Sequence, residues 1–84
     1  MYKIVWAVKA LKQLKKIDKP QQKKVVQGVR QLKEWPECRN VKALENHKYD
    51  YRLRIGRYRV FFNIETELKI TRIEEVKKRD GRTY

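Results

Sequence analysis

Four arginines with no acidic residue among them form the most chemically distinctive group in this chain. They lie within the segment YRLRIGRYRV, as Arg52, Arg54, Arg57 and Arg59. A guanidinium stays charged at neutral pH, and its fork of N–H groups matches the oxygens of a phosphate better than lysine does. The residue types and their spacing therefore predict the binding of a phosphate group.

The same segment predicts a β-hairpin, because Gly56-Arg57 suits a two-residue turn that has glycine first. In that register residue 54 faces residue 59 and residue 52 faces residue 61. One face then carries Arg52, Arg54, Arg59 and Phe61, and the other, which must be core, carries Tyr51, Leu53, Ile55, Tyr58, Val60 and Phe62. Like charges facing each other destabilise a sheet, and a bound anion offsets that repulsion. The alternative is a solvated face balanced by acids elsewhere, such as Asp50, Glu65 or Glu67.

Phe61, the aromatic residue predicted on the arginine face, has two interpretations of equal weight. An aromatic ring beside a phosphate site can stack on a base of single-stranded RNA. Ordinary burial within the sheet is the alternative. If Phe61 stacks on a base, it supports nucleic-acid binding at this face. If it is buried, the arginines alone indicate such binding.

The segments before the hairpin predict the elements that position it. The alternation in YKIVWA indicates a strand, and a helical apolar stripe follows. This stripe consists of Ala7, Ala10, Leu11, Leu14 and Ile17. Pro20 suits the first turn of a second helix, which is predicted to run to about Leu32 or Trp35. Residues 36–47 have no sustained period and predict a surface loop.

Three further strands are predicted at Tyr49–Ile55, Tyr58–Ile64 and Leu68–Val76. The tail KKRDGRTY has no apolar pattern. The order βααβββ indicates a small α+β domain, with a helical hairpin packed on a mostly antiparallel, twisted sheet.

Length and charge restrict the class of protein. We expect one domain, residues 1–84, and the net charge of +13 implies a polyanionic partner, most often nucleic acid. Lysines of the helical hairpin are expected to dock on RNA phosphates. These are Lys9, Lys12, Lys15, Lys16, Lys19, Lys23 and Lys24. No apolar run approaches the roughly 18 residues of a membrane span, so we expect a cytoplasmic protein with no membrane partner.

Cys38 and His47 are the only cysteine and the only histidine of the chain. A lone cysteine forms no intramolecular disulfide, and these two residues are too few for a typical metal site. We therefore expect no metal or other cofactor, and a passive thiol at Cys38.

Three segments together resemble the RelE/ParE superfamily of bacterial toxins, and specifically its RelE branch. YKIVWAVKALKQLKKIDKPQQKKV resembles the family's first strand and helical hairpin, and YDYRLRIGRYRVFF resembles its central hairpin. EEVKKRDGRTY resembles its closing tail, in which an arginine precedes a late tyrosine. The resemblance covers nearly the whole chain.

The resemblance implies the toxin of a type II toxin–antitoxin system, which cleaves messenger RNA in the decoding site of the ribosome. It also implies neutralisation by a cognate antitoxin; the toxin alone is expected to be monomeric. The family's catalytic positions match Arg52, Arg54, Arg59, Arg79 and Tyr84, and Arg57 and Arg82 are expected to add RNA contacts. The best-known members have lysines at the first two positions, and their spacing from the tail arginine to the tyrosine is slightly longer.

Cleavage of this kind activates a ribose 2′-hydroxyl to attack the adjacent phosphate, and it needs a base, a charge stabiliser and an acid. Arginine is a poor base, so Arg52 and Arg54 are expected to orient and neutralise the phosphate. His47 is a candidate base, and a structural role in the loop LENHKY is the alternative. Tyr84 would stack on a base, orient the 2′-hydroxyl or exchange a proton. Glu75 and Asp80 are expected to restrain Arg79 or surface lysines.

Two other functions stay open on the sequence alone. The ParE branch shares the fold and acts on DNA gyrase without cleaving RNA. A non-catalytic module that binds the ribosome or RNA would use the same basic surface. Fold alone does not separate these functions, because function resides in the site that a fold carries.

Overall fold

The computed structural model describes residues 1–78, so the predicted site residues Arg79, Arg82 and Tyr84 lie outside the described residues. The elements are β1 (Lys3–Trp6), α1 (Val8–Lys15), α2 (Lys19–Arg30), a 3-10 turn (Gln31–Glu34), β2 (Val41–Ala43), β3 (Tyr51–Ile55), β4 (Tyr58–Glu65) and β5 (Ile70–Lys78). No helix within this range is long and apolar enough to cross a membrane.

The strands form one five-stranded sheet in the order β1-β5-β4-β3-β2. β1 pairs with β5 in parallel, and the other neighbours are antiparallel. Side chains from both helices pack on one face of the sheet and form a single core with it. The predicted α+β class, with a helical hairpin on a mostly antiparallel sheet, is confirmed.

The central hairpin has the predicted register. Arg54 pairs with Arg59, and residue 52 pairs with residue 61. Gly56 has φ +55°, the left-handed conformation that a glycine-first turn requires of its first residue. Leu53, Val60 and Phe62 are completely buried, as expected for the core face.

The prediction of a surface loop over residues 36–47 was wrong in its central part. Val41–Ala43 forms the short edge strand β2, which pairs with β3. Asn40 enters it with φ +63°, and its carbonyl accepts a hydrogen bond of 3.0 Å from the Arg54 amide. A strand of three residues is too short for its alternation to stand out from a loop.

The last strand begins and ends two residues later than predicted and contains a β-bulge. Phe61 pairs with Glu75, but its neighbour Phe62 pairs with Ile73, so Glu74 is the extra residue. The bulge lets Ile73 and Val76 both reach the core, although their spacing of three residues would place them on opposite faces of a regular strand. It also places Glu75 next to Phe61, on the strand face opposite to Ile73 and Val76.

The second helix ends earlier than its apolar stripe indicated. α2 stops at Arg30, and a 3-10 turn continues the stripe to Glu34, so that Leu32 is completely buried. Trp35 follows the turn and packs edge-on against Tyr51 and Phe62, with ring centroids 4.6 and 5.7 Å apart. These contacts attach the end of the helical layer to the central strands.

Candidate nucleic-acid interface

The sheet face away from the helices carries a cluster of cations that we call the basic face, defined by Arg52, Arg54, Arg59 and Lys77. Arg54, Arg59 and Lys77 lie side by side on β3, β4 and β5, in one row across the sheet. In the next row, Arg52 lies between Lys42 of β2 and Phe61 of β4. The hairpin register therefore places the three predicted arginines together.

Acidic residues do not balance these arginines within residues 1–78, since no carboxylate there forms an ion pair with Arg52, Arg54 or Arg59. Glu65, one of the three candidate balancing acids, pairs instead with Arg72 at 3.4 Å. The Nε atom of Arg52 is buried and has no hydrogen-bond partner in this part of the chain. A buried donor left unpaired is costly, so an acceptor from a ligand would relieve it.

Glu75 contacts Lys77 of the basic face and also Lys9, so it restrains lysines, one of the roles expected for it. Its side chain lies 3.4 Å from Lys9 Nζ and 3.6 Å from Lys77 Nζ, and it accepts a hydrogen bond from the hydroxyl of Tyr49. Burial acts to raise the pKa of Glu75, but the Tyr49 hydrogen bond and the two lysines outweigh it and hold the pKa below its ordinary value. Glu75 is therefore a fixed negative charge that links α1 and β5.

Tyr49 completes this arrangement from the loop before β3. Burial, together with the hydrogen bond to Glu75, raises the pKa of Tyr49. The phenol therefore stays protonated at neutral pH and donates its proton to the carboxylate. The loop that carries His47 is joined to β4 by the backbone N–H of Asp50, which donates a hydrogen bond of 2.8 Å to Asn63 Oδ1.

Phe61 is buried rather than open to a base. Only 6% of it is exposed, and the His47 ring stacks on it with centroids 5.2 Å apart and planes 11° apart. The centroid of the Tyr49 ring lies 5.8 Å from the centroid of the Phe61 ring. Of the two interpretations for Phe61, the structure favours burial, because His47 and Tyr49 occupy its surroundings.

His47 is exposed and has one ring nitrogen engaged. Its Nδ1 accepts a hydrogen bond of 3.0 Å from the backbone N–H of Tyr49. In a neutral imidazole only one nitrogen has a free lone pair, so this bond places the ring proton on Nε2. In this geometry His47 can donate a hydrogen bond to an approaching oxygen, but it has no free lone pair to take a proton.

Within residues 1–78, the other predicted RNA-binding residues lie on the hairpin turn and on the helical layer. Arg57 is exposed at the hairpin turn, and five lysines are exposed on the helical layer: Lys12, Lys15 and Lys16 at α1, and Lys23 and Lys24 on α2.

Cys38 is half-buried. Burial raises the pKa of its thiol, and the charge of nearby Glu34 raises it further, so Cys38 stays a thiol. The described part of the chain contains no group of three or more histidine, cysteine or acidic side chains that could hold a metal ion.

Sequence reasoning missed Lys77, which belongs to the basic face, and Lys42, which pairs with Arg52 beside it. Lys77 lies on the basic face because the bulge at Glu74 shifts the alternation of β5 by one residue. Lys42 falls within the loop predicted for residues 36–47. The sequence does contain a sign of the bulge, because the apolar residues Ile73 and Val76 are three positions apart and cannot share a face of a regular strand.

These features define a small basic α+β domain whose sheet has a helical core on one side and an arginine-rich surface on the other. A family model described as the ParE toxin of type II toxin–antitoxin systems (parDE) matches residues 4–82. The chain belongs to this family, within the RelE/ParE superfamily of type II toxin–antitoxin toxins.

Solved structures of RelE proteins have the same fold. A chain of the RelBE2 toxin–antitoxin complex from Mycobacterium tuberculosis is 25% identical, with a TM-score of 0.80 over 93% of this chain and 98% of that one. The RelE–RelB complex from Pyrococcus horikoshii gives 26% identity and a TM-score of 0.76, with 98% of both chains covered. Isolated RelE from Escherichia coli is similar in fold. Its identity is 18% and its TM-score is 0.82, with 99% of this chain and 88% of that one covered. No curated protein sequence gives a significant match.

Proposed function

We propose that this toxin is a ribosome-dependent endoribonuclease that cleaves messenger RNA in the decoding site and so inhibits translation. The observation that carries the proposal is the set of three arginines on neighbouring strands, none of which has a carboxylate partner within residues 1–78. Keeping Arg54 opposite Arg59 costs stability unless a polyanion lies between them. The scissile phosphate of a message is an anion of suitable geometry.

The proposed reaction is attack of a ribose 2′-oxygen on the adjacent phosphorus. The new bond closes a 2′,3′-cyclic phosphate, the bond to the 5′-oxygen breaks, and a proton moves to that oxygen. Arg52, Arg54 and Arg59 would bind the non-bridging oxygens, whose negative charge grows in the transition state. Arg79 and Tyr84 keep the roles that the family resemblance gives them.

None of the three arginines is suited to remove the 2′-proton. His47 would contribute a hydrogen bond from Nε2 rather than act as the base, because the backbone of Tyr49 occupies Nδ1. A site of this kind supplies charge and position but little proton transfer. It therefore depends on a partner that aligns the 2′-oxygen with the departing 5′-oxygen, and we propose the ribosome as that partner.

The partners follow from charge and from the relatives. Exposed lysines on α1 and α2 would dock the toxin on ribosomal RNA through phosphate contacts that carry no sequence information. The relatives from M. tuberculosis and P. horikoshii were solved in complex with antitoxins. We propose that a cognate antitoxin neutralises this chain too, that the toxin alone is monomeric, and that it acts in the cytoplasm, where ribosomes are.

Inhibition of DNA gyrase is the second candidate function, and the family model favours it because its description names the ParE toxin. This function needs no phosphate chemistry at the basic face. Expression of the toxin would then leave messages intact and alter DNA topology. RNA cleavage and plasmid supercoiling can be measured in the same cells, so the two candidates are separable.

The test maps 5′ ends of messenger RNA in cells that express the toxin or one of two variants. Arg59→Ala removes a member of the basic face, and we expect the new 5′ ends inside translated frames to disappear. Arg72→Ala is the matched control, because Arg72 lies on another row of β5 and pairs with Glu65. It should leave the cleavage pattern unchanged. Equal cleavage by the toxin and Arg59→Ala would contradict the site assignment.

A further inference from the structure

A second cationic site lies on the opposite side of the sheet from the basic face. A cavity of about 440 Å³ opens between the start of α2 and the turn of the central hairpin. Its lining residues are Asp18, Gln21, Lys24, Ile55, Gly56, Arg57, Tyr58 and Lys78. Tyr58 pairs with both Ile55 and Lys78 across the sheet, so these three side chains share the helix side. The row of Arg54, Arg59 and Lys77 lies behind them.

The charge of this cavity is unbalanced. Among the residues that the structure describes, Lys24, Arg57 and Lys78 contribute three cations to the lining, and Asp18 is the one acid. Within the described range, none of these four residues forms an ion pair, so the acid does not neutralise the cations. Cations from a helix, a turn and a strand end meet here, and an anion is the ligand that their charge favours.

One wall of the cavity is apolar and aromatic. Ile55 and Tyr58 flank the turn, and both are only partly buried, so each retains accessible surface on this side. The turn itself stays open, because a Cβ at Gly56 would have no atom within 4 Å. An aromatic ring next to clustered cations is the combination that holds a nucleotide, with the base on the ring and the phosphate on the cations.

We propose that this cavity binds one nucleotide of a single-stranded RNA. Lys24, Arg57 and Lys78 hold its phosphate, and its base rests on Tyr58. Arg57 lies at the turn between the cavity and the basic face, so a strand that passes round the turn contacts both surfaces. The site is independent of cleavage, since binding here needs neither the ribosome nor the chemistry proposed for the basic face.

The test titrates the purified, isotope-labelled full chain with adenosine 5′-monophosphate and follows the backbone amides by NMR. We expect the largest shifts at Gln21, Gly56 and Tyr58. Adenosine alone and inorganic phosphate alone serve as separate probes, and each should bind more weakly than the nucleotide. Shifts confined to Arg52, Arg54 and Arg59, or no shifts, would overturn the proposal. Inorganic phosphate binding as tightly as the nucleotide would also overturn it, because the base would then make no contact.

Two pairs of substitutions distinguish this site from general charge attraction. Lys24→Gln with Lys78→Gln should weaken nucleotide binding by about tenfold. Lys33→Gln with Lys69→Gln removes the same charge from exposed positions beside the start of β1, at the other end of the sheet, and should change binding less than about twofold. An equal loss in both pairs would refute a localised site.

Two single substitutions test the acid and the ring. Asp18→Asn should tighten binding, because it removes the one carboxylate that residues 1–78 contribute to the lining. Asparagine is as good a residue as aspartate at the helix N-cap. Tyr58→Leu should weaken binding of the nucleotide by about fivefold or more while binding of inorganic phosphate stays the same. The phosphate arm also reports that this variant is folded. Unchanged affinity in both variants would contradict the proposal.

Discussion

The ionised carboxylate of Glu75 should stabilise the fold in a pH-dependent way, and Glu75→Gln measures this. Glu75 is 7% exposed and accepts a hydrogen bond from Tyr49. A hydrogen bond to a charged group contributes about 1.5–3 kcal/mol, roughly twice the value for a neutral pair. The glutamine oxygen can keep a neutral version of the bond, so the substitution removes about 1 kcal/mol at this contact.

The ion pairs to Lys9 and Lys77 add little to this value. The two lysine side chains are 54% and 62% exposed, so water screens both interactions. Together they contribute about 0–1 kcal/mol. We therefore expect Glu75→Gln to lower the free energy of unfolding by about 1–2 kcal/mol near pH 7, which corresponds to a fall in Tm of about 5–15 °C for a domain of this size.

The direction of the pH dependence follows from the pKa of Glu75. Its folded-state pKa lies below the ordinary value of 4.5, so the charge stabilises the fold above that value. This contribution disappears as the pH falls through the folded pKa. The difference between the protein and Glu75→Gln should therefore be full near pH 7 and close to zero at a pH below the folded pKa.

Urea unfolding at several pH values measures this difference. Glu67→Gln, at an exposed position in the turn before β5, is the matched control and should change stability by less than about 0.5 kcal/mol at every pH. A loss for Glu75→Gln that is the same at low and neutral pH would refute the electrostatic explanation. No loss at neutral pH would refute the stabilising role itself.

Three further predictions address the basic face and the packing beneath the hairpin. Arg54→Gln should raise the free energy of unfolding in urea by up to about 0.5 kcal/mol, because it removes the repulsion with Arg59, and reduced stability would contradict that repulsion. The same variant should lower RNA cleavage by about tenfold or more. His47→Gln should keep cleavage within about threefold in single-turnover assays, whereas loss of a general base costs about a hundredfold or more. Gly28→Ala should cost about 1 kcal/mol in urea unfolding, because the new Cβ would lie 2.6 Å from Cδ1 and 2.8 Å from Cγ1 of Ile55. Combining it with Ile55→Ala, which removes both atoms, should cost less than the sum of the two single changes, and additive losses would refute the clash.

The central hairpin could be predicted from sequence because its determinants are local. Alternation fixes which side chains share a face, and the glycine-first turn fixes the register. Together they predicted that Arg54 lies opposite Arg59, which the structure confirms. A surface made of residues on two adjacent strands can therefore be predicted from the sequence when the connecting turn is short.

Features that depend on distant residues could not be predicted in this way. β2 forms only because β3 offers it an edge, and its three residues carry no pattern of their own. The bulge at Glu74 arises because Ile73 and Val76 both pack in the core, and it decides that Lys77 joins the basic face. The contact of His47 with Phe61 needs the loop to fold back over the sheet.

The most direct test of the central claim is cleavage of one message by the purified toxin with and without ribosomes. Enzyme and RNA amounts are equal in both reactions, and moderate salt limits nonspecific binding. We predict efficient cutting once the message is threaded through a ribosome with an empty decoding site, and poor cutting of the naked message. Equally fast cutting in both reactions would contradict the dependence on the ribosome, and no cutting in either would contradict the proposed ribonuclease.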